Sequence, residues 1–194
     1  MTSGQQTILL DSNAYFRLGI SVHPLLGQPF GAAPKYSLRV LAELDDEYKT
    51  STRLQHKFEW VRQKEYVEDR AAKRYTVPTD LRSQVDTAFT FLADYADSQQ
   101  LNVSKEDLKA LAVGFAAKIP VVTDDGNMTA IAEAHQIDCW NTIKLLRAMV
   151  SAGRIDTAKV TEILEYLQYE NDLPMPIGRL RKVFREYFGS NCPL

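Results

Sequence analysis

Two short apolar segments of the chain each end in acidic side chains. Asp11 follows residues 7–10, and Asp124 and Asp125 follow residues 120–123. Both segments are typical of buried strands, and in an open parallel α/β sheet the carboxyl ends of the strands carry ligands and chemistry. Two adjacent carboxylates repel each other unless a cation is present. The pattern therefore predicts a divalent-metal site where the two strands end.

Strands and helices alternate along the rest of the sequence. Short apolar runs predict strands at residues 7–10, 119–123 and 137–140, and three prolines with two glycines predict a loop over residues 21–35. Apolar side chains at helical spacing predict helices over residues 36–50, 51–74, 81–95, 104–118, 127–135, 142–150, 157–166 and 177–188. This order predicts an α/β protein: a three-layer α/β/α arrangement with a central, mainly parallel sheet, extended by helices at its C-terminal end.

Composition narrows the classes of protein that the chain can belong to. Its 194 residues are 45% hydrophobic and 25% charged, with a formal net charge of −2, so a nucleic acid would have to meet a local basic patch. Cys139 and Cys192 are too few for a disulfide framework. The sequence has no apolar stretch of about 20 residues, and its first six residues lack the apolar region of an export signal. We therefore expect a cytoplasmic protein without a membrane span.

Two further acids lie in predicted helices, and each has a simpler structural explanation. Asp107 follows Ser104 in a pattern typical of a helix cap, yet it shares a helical face with Leu111. Glu43 lies beside an apolar stripe, whereas its neighbours at residues 45–47 fit a solvated face. Asp11 and either acid of the second segment could likewise cap the helix that follows. A cap needs only one acid, which favours a metal-binding role for the acidic pair.

The ordered set of these acids resembles the PIN-domain nuclease family. The matching segments are residues 8–13, 41–44, 107–112 and 121–125, and the resemblance covers roughly residues 7–145. It implies a nuclease domain over residues 1–150, and the chain departs from the family by an added helical extension, residues 151–194, which we expect to pack on that domain. It also implies catalytic roles for four acids, metal binding by the same four and by Asp124, and auxiliary roles for Asn13 and Thr123. The four are Asp11, Glu43, Asp107 and Asp125.

The resemblance implies a metal-dependent endoribonuclease, either a toxin of a toxin–antitoxin system or an RNA-processing enzyme. Its cofactor would be magnesium or manganese, since oxygen-only ligands suit hard cations. Its partners would be RNA and an antitoxin protein, with a homodimer also open. Arg17, Arg53 and Lys57 are candidate substrate contacts. The basic residues of the last helix fit either RNA contact or a docked helix with its charges in water.

Two other functions remain open on the sequence. The first is a non-catalytic PIN-like module that binds RNA or protein. The second is a phosphatase resembling the haloacid-dehalogenase class, with Asp11 as nucleophile. That class has an Asp-x-Asp motif, whereas this chain has Asn13 at the second position, so the general acid is missing.

Overall fold

The computed structural model describes residues 5–194, and the sheet in this range has four parallel strands. They are β1 (Gln5–Leu10), β2 (Lys35–Val40), β3 (Val121–Val122) and β4 (Cys139–Trp140), in the order β2-β1-β3-β4. The predicted α/β class with a parallel central sheet is confirmed. The expectation about an export signal rests partly on residues 1–4, which lie outside the described range.

Helices connect the strands and cover the sheet. They are α1 (Ser12–Leu18), α2 (Glu43–Thr50), α3 (Thr52–Lys57), α4 (Lys64–Ala72), α5 (Arg82–Ser98), α6 (Lys105–Ala117), α7 (Gly126–Ala134), α8 (Thr142–Ser151), α9 (Thr157–Tyr169) and α10 (Ile177–Phe188). Short 3₁₀ turns lie at Glu59–Arg62 and Thr79–Leu81. None of the helices described is both long and apolar enough to span a bilayer.

Alternating side chains of β1 build a separate core on each face of the sheet. Ile8 and Leu10 pack with buried residues of α1, α8, α9 and α10. Leu9 points to the other face and packs with buried residues of α5, α6 and α7. Because successive side chains of a strand point to opposite faces, this alternation produces the predicted three layers.

The prediction of one helix over residues 36–50 is wrong in its first part. Residues 35–40 form β2, which pairs with β1 along its whole length, with Ile8 opposite Leu38 and Leu10 opposite Val40. The leucine spacing satisfied a helical pattern, but pairing in the sheet buries Leu38 and Val40 completely or nearly so. The helix begins only at Glu43. This acid therefore follows a strand end, as Asp11 does.

The C-terminal helices share the core of the main sheet. Val160 and Leu164 of α9, and Leu180 and Phe184 of α10, are buried in the same cluster as Ile8. The extension is therefore packed on the rest of the chain by apolar side chains.

Candidate metal and catalytic site

The strand register brings the two acidic segments to one edge of the sheet. Leu10 lies opposite Val122 in the β1–β3 pair, so the residues that follow them, Asp11 and Thr123, leave the sheet side by side. The backbone amide of Asp11 donates to the carbonyl oxygen of Val122 at 3.0 Å. The predicted convergence of the two strand ends is therefore a consequence of the parallel pairing.

Asp11 combines a capping role with an unpartnered oxygen. Its side chain is only 3% exposed, and its Oδ1 accepts a hydrogen bond from the amide of Ala14 at the start of α1. Its Oδ2 is buried and has no hydrogen-bond partner among the described residues. Burial raises the pKa of this carboxyl to about 7, and the Asp124 and Asp107 carboxylates add to the rise while Thr123 opposes it. Capping thus uses one oxygen and leaves the other free for a cation.

Asp107 and Asp125 are close enough to affect each other. Asp107 lies half-buried in the first turn of α6, where its amide donates to the Ser104 hydroxyl at 3.0 Å. Burial raises the pKa of its carboxyl, and the charges of Asp125 and Glu106 raise it further. Asp125 is exposed and caps α7 by accepting from the Met128 amide at 2.8 Å. Ser104 is therefore the cap of α6, and Asp107 is its capping partner, because hydrogen bonds with Ser104 oppose the rise in the pKa of the Asp107 carboxyl.

Helix α2 contributes Glu43 and a second acid that sequence reasoning missed. Glu43 lines a small pocket together with Asp11 and Asp107. The sequence predicts a solvated face for Glu47, but its Oε2 is buried and has no hydrogen-bond partner among residues 5–194. Burial raises the pKa of the Glu47 carboxyl, the charge of Asp107 raises it further, and the Ser12 hydroxyl beside it opposes the rise. The sequence could have indicated this role, because Glu47 follows Glu43 by four residues and residues four apart lie on one helical face.

Asp124 has a different environment from its neighbour Asp125. Its side chain is 1% exposed. Its Oδ1 accepts from the Thr142 amide at 2.9 Å, and its Oδ2 accepts from the Thr142 hydroxyl at 2.5 Å and from Arg17 at 3.1 Å. Both oxygens thus link the end of β3 to α1 and α8. These bonds support a structural role for Asp124.

The other predicted site residues have varied surroundings. Thr123 is buried beside Asp11 and accepts from the Asp125 amide at 3.1 Å, whereas Asn13 is exposed in the first turn of α1. Arg17 and Lys57 both pair with Asp172, at 3.5 and 3.2 Å. Arg53 is exposed, and its charge opposes the rise that burial causes in the pKa of Glu47.

The donor chemistry of this edge fits a hard divalent cation. All candidate ligands are carboxylates, which suit magnesium and manganese, and the Asp11 Oδ2 is a buried acceptor without a donor. Within residues 5–194, however, no three acidic, histidine or cysteine side chains surround one point closely enough to hold a metal. Ion binding would therefore require carboxylates such as Glu43, Glu47 or Asp107 to turn towards Asp11.

Comparisons with known proteins do not identify a function for this chain. No protein-family model and no curated protein sequence matches the chain. The fold aligns with the crystal structure of FitAcB from Neisseria gonorrhoeae, with a TM-score of 0.42 and 14% identity, over 70% of this chain and 97% of that one. A similarity at this level carries no argument about family or activity.

Proposed function

We propose that the chain is a metal-dependent endoribonuclease that resembles PIN-domain enzymes. The observation that carries the proposal is the buried, unpartnered Oδ2 of Asp11 at the carboxyl edge of the sheet. Acids from three other elements lie near it or near each other: Glu43 and Glu47 from α2, Asp107 from α6 and Asp125 at the start of α7. A fold gains no stability by gathering so many like charges, so their concentration at one edge supports a functional role.

In this proposal Asp11 and Asp125 are the central ligands. Glu43 and Asp107 would bind the ion directly or through water, and Glu47, which is near enough to Asp107 for its pKa to respond, is a further candidate acid. Asp124 stays bound to Arg17 and Thr142 and positions the end of β3. A bound magnesium or manganese ion would supply the Lewis acidity for hydrolysis of a phosphodiester bond.

The protein side chains would hold and orient the reactants. Thr123 hydrogen-bonds the Asp125 amide and lies beside Asp11, so it fixes the relative position of the two acids. A carboxyl must lose its proton before it can bind a cation. Burial raises the pKa of the Asp11 carboxyl to about 7, so this proton is lost near neutral pH. Metal binding should therefore strengthen as the pH rises through neutrality. Arg53 remains a candidate contact for substrate phosphates, and an inhibitory antitoxin protein remains a candidate partner.

The test is cleavage of a labelled single-stranded RNA with manganese or magnesium. Asp11→Asn and Asp125→Asn should each lower the rate at least about 100-fold, because the variants keep the helix caps but lose the charges. Asp46→Asn, which changes an exposed acid on α2, should leave the rate unchanged. Cleavage that persists in the first two variants, or in a chelator, would show that the proposed site is not the catalytic one.

A non-catalytic PIN-like module is the second candidate, and one observation favours it. No three potential ligands surround a single point within the described residues. This alternative predicts RNA or protein binding that survives Asp11→Asn and Asp125→Asn, and no heat of manganese binding by calorimetry. Manganese binding that disappears in Asp11→Asn would exclude it.

A further inference from the structure

The basic side chains on α10 form a group without ion-pair partners among the described residues. Elsewhere, exposed cations such as Arg62, Lys64 and Lys159 pair with an acid three or four residues away. Within residues 5–194, no ion pair involves the cations of α10 or Arg147 on the adjacent α8. The cations of α10 are Arg179, Arg181, Lys182 and Arg185. This surface therefore carries a net positive charge, with Glu186 as the one acid of α10, on a chain whose formal net charge is −2.

Three of these cations line one shallow cleft. Arg181, Lys182 and Arg185 surround it together with Gly178 and one acid, Glu186. Residues 178, 181, 182 and 185 are spaced so that they share one face of a helix. A side chain at position 178 would meet no other atom within 4 Å, so this part of the helix surface is open. We call these four residues the basic cleft.

The rigid packing of α10 holds the basic cleft outward. Leu180 and Phe184 are buried in the main core, and the Phe184 ring stacks on Phe188 with centroids 4.4 Å apart. The guanidinium of Arg147 lies 5.7 Å from the centre of the Phe188 ring, which brings a fifth cation next to α10. The packing of α10 thus leaves its basic residues exposed on the protein surface.

Two of the cleft cations make hydrogen bonds that leave donors free. The Arg181 Nε donates to the backbone oxygen of Leu194 at 3.1 Å, and an Arg185 Nη donates to the Asn191 side chain at 3.2 Å. Each guanidinium has five N–H donors, so most of them remain available. These bonds orient the two side chains, and the Asn191 acceptor is uncharged.

We propose that the basic cleft binds the phosphate backbone of single-stranded RNA and holds it on the enzyme. This inference rests on the proposed function, because RNA is the polyanion that a ribonuclease must retain. Closely spaced cations without acidic partners complement a chain of phosphates. An anionic membrane is the weaker candidate, since a helix that lies in a membrane interface needs an exposed apolar face and α10 buries its apolar residues in the core.

The test measures binding separately from cleavage. Fluorescence anisotropy of a labelled single-stranded RNA in a chelator would compare the wild-type protein with the triple variant Arg181→Gln, Lys182→Gln, Arg185→Gln. Loss of three phosphate contacts should weaken binding at least about tenfold. It should also reduce the slope of log binding constant against log salt concentration by about 2. The matched control Arg62→Gln, Lys64→Gln, Lys159→Gln removes the same charge from paired surface sites and should change affinity less than about twofold.

These results test RNA binding by the basic cleft independently of the nuclease proposal. Equal losses in both triple variants, or no RNA binding by the wild type, would overturn the basic cleft as an RNA site. Binding to phosphatidylserine vesicles but not to RNA would also overturn it. Weakened RNA binding in the cleft variant alone, with no cleavage by the wild type, would support the cleft while contradicting the nuclease. Circular dichroism would confirm that both triple variants are folded.

Discussion

The Asp11 carboxylate divides its two oxygens between the fold and the proposed chemistry. One oxygen accepts from the Ala14 amide and starts α1, and the other is buried without a donor. A buried charge without a partner is costly, which is why the pKa of this carboxyl rises to about 7. In the metal-free protein, Asp11 should therefore reduce stability at high pH.

We predict that Asp11→Asn stabilises the metal-free protein, and more so at high pH. The pKa of the carboxyl rises from 3.8 to about 7 on folding. Between these values the unfolded chain releases a proton that the folded protein retains, so wild-type stability falls as the pH rises and levels off above about 7. Asparagine still caps α1, but its side chain does not titrate, so it has no such pH dependence. The gain should be about 2–3 kcal/mol larger at pH 8 than at pH 5.

The measurement is urea unfolding in a chelator at the two pH values, with Asp46→Asn as the control for an exposed acid. Manganese should then stabilise the wild type at pH 8 and leave Asp11→Asn unchanged. A variant that is less stable than the wild type at pH 8 would contradict the assignment of a buried, unpartnered charge.

At the scale of elements, short-range sequence patterns predict where the two acidic strands end. They do not predict which distant residues contact the acids at those ends. The capping of α6 by Ser104 and the position of Asp11 after β1 follow from short-range signals. The roles of Asp124 and Asp125 could not be separated in this way, because Arg17 and Thr142 are distant in sequence and meet Asp124 only in the fold. Residues 35–40 were misassigned for the same reason, since their partner strand β1 decides their conformation.

Helix α6, which carries Asp107 in its first turn, packs closely on β3, and Gly114 permits this contact. A Cβ at position 114 would collide with the Val121 side chain and lie 3.3 Å from the Ile119 carbonyl oxygen. Gly114→Ala should therefore lower the free energy of unfolding by about 1–2 kcal/mol, because so close a contact places the overpacking cost at about 2–3 kcal/mol, above the gain in helix propensity of about 1 kcal/mol.

Gly126→Ala is the matched control for this second prediction. Gly126 opens α7, and an added Cβ there meets no atom within 4 Å. Its urea midpoint should stay constant or rise. If Gly114→Ala is as stable as the wild type, then α6 is not held against β3 as closely as the structure indicates.

At the scale of the whole molecule, the sheet joins the N-terminal and C-terminal parts of the chain through one core. Trp60 and Trp140, the two tryptophans of the sequence, are buried in the same cluster as Leu180 of α10. The division into residues 1–150 and 151–194 stays a prediction about sequence organisation. The shared core, however, leads us to expect that the two parts unfold together.

Leu180→Ala tests this coupling, because Leu180 is fully buried and the tryptophans report only on the larger part. Removing the side chain should cost about 3 kcal/mol, and both tryptophan fluorescence and far-ultraviolet circular dichroism should show one transition at a lower urea concentration. Tyr169→Ala, at a position that is 82% exposed, should leave the transition in place. An early loss of helix signal with an unchanged fluorescence midpoint would mean that α10 unfolds by itself. The basic cleft would then be carried by a separately unfolding segment, and its position relative to the acidic edge would not be fixed by the core.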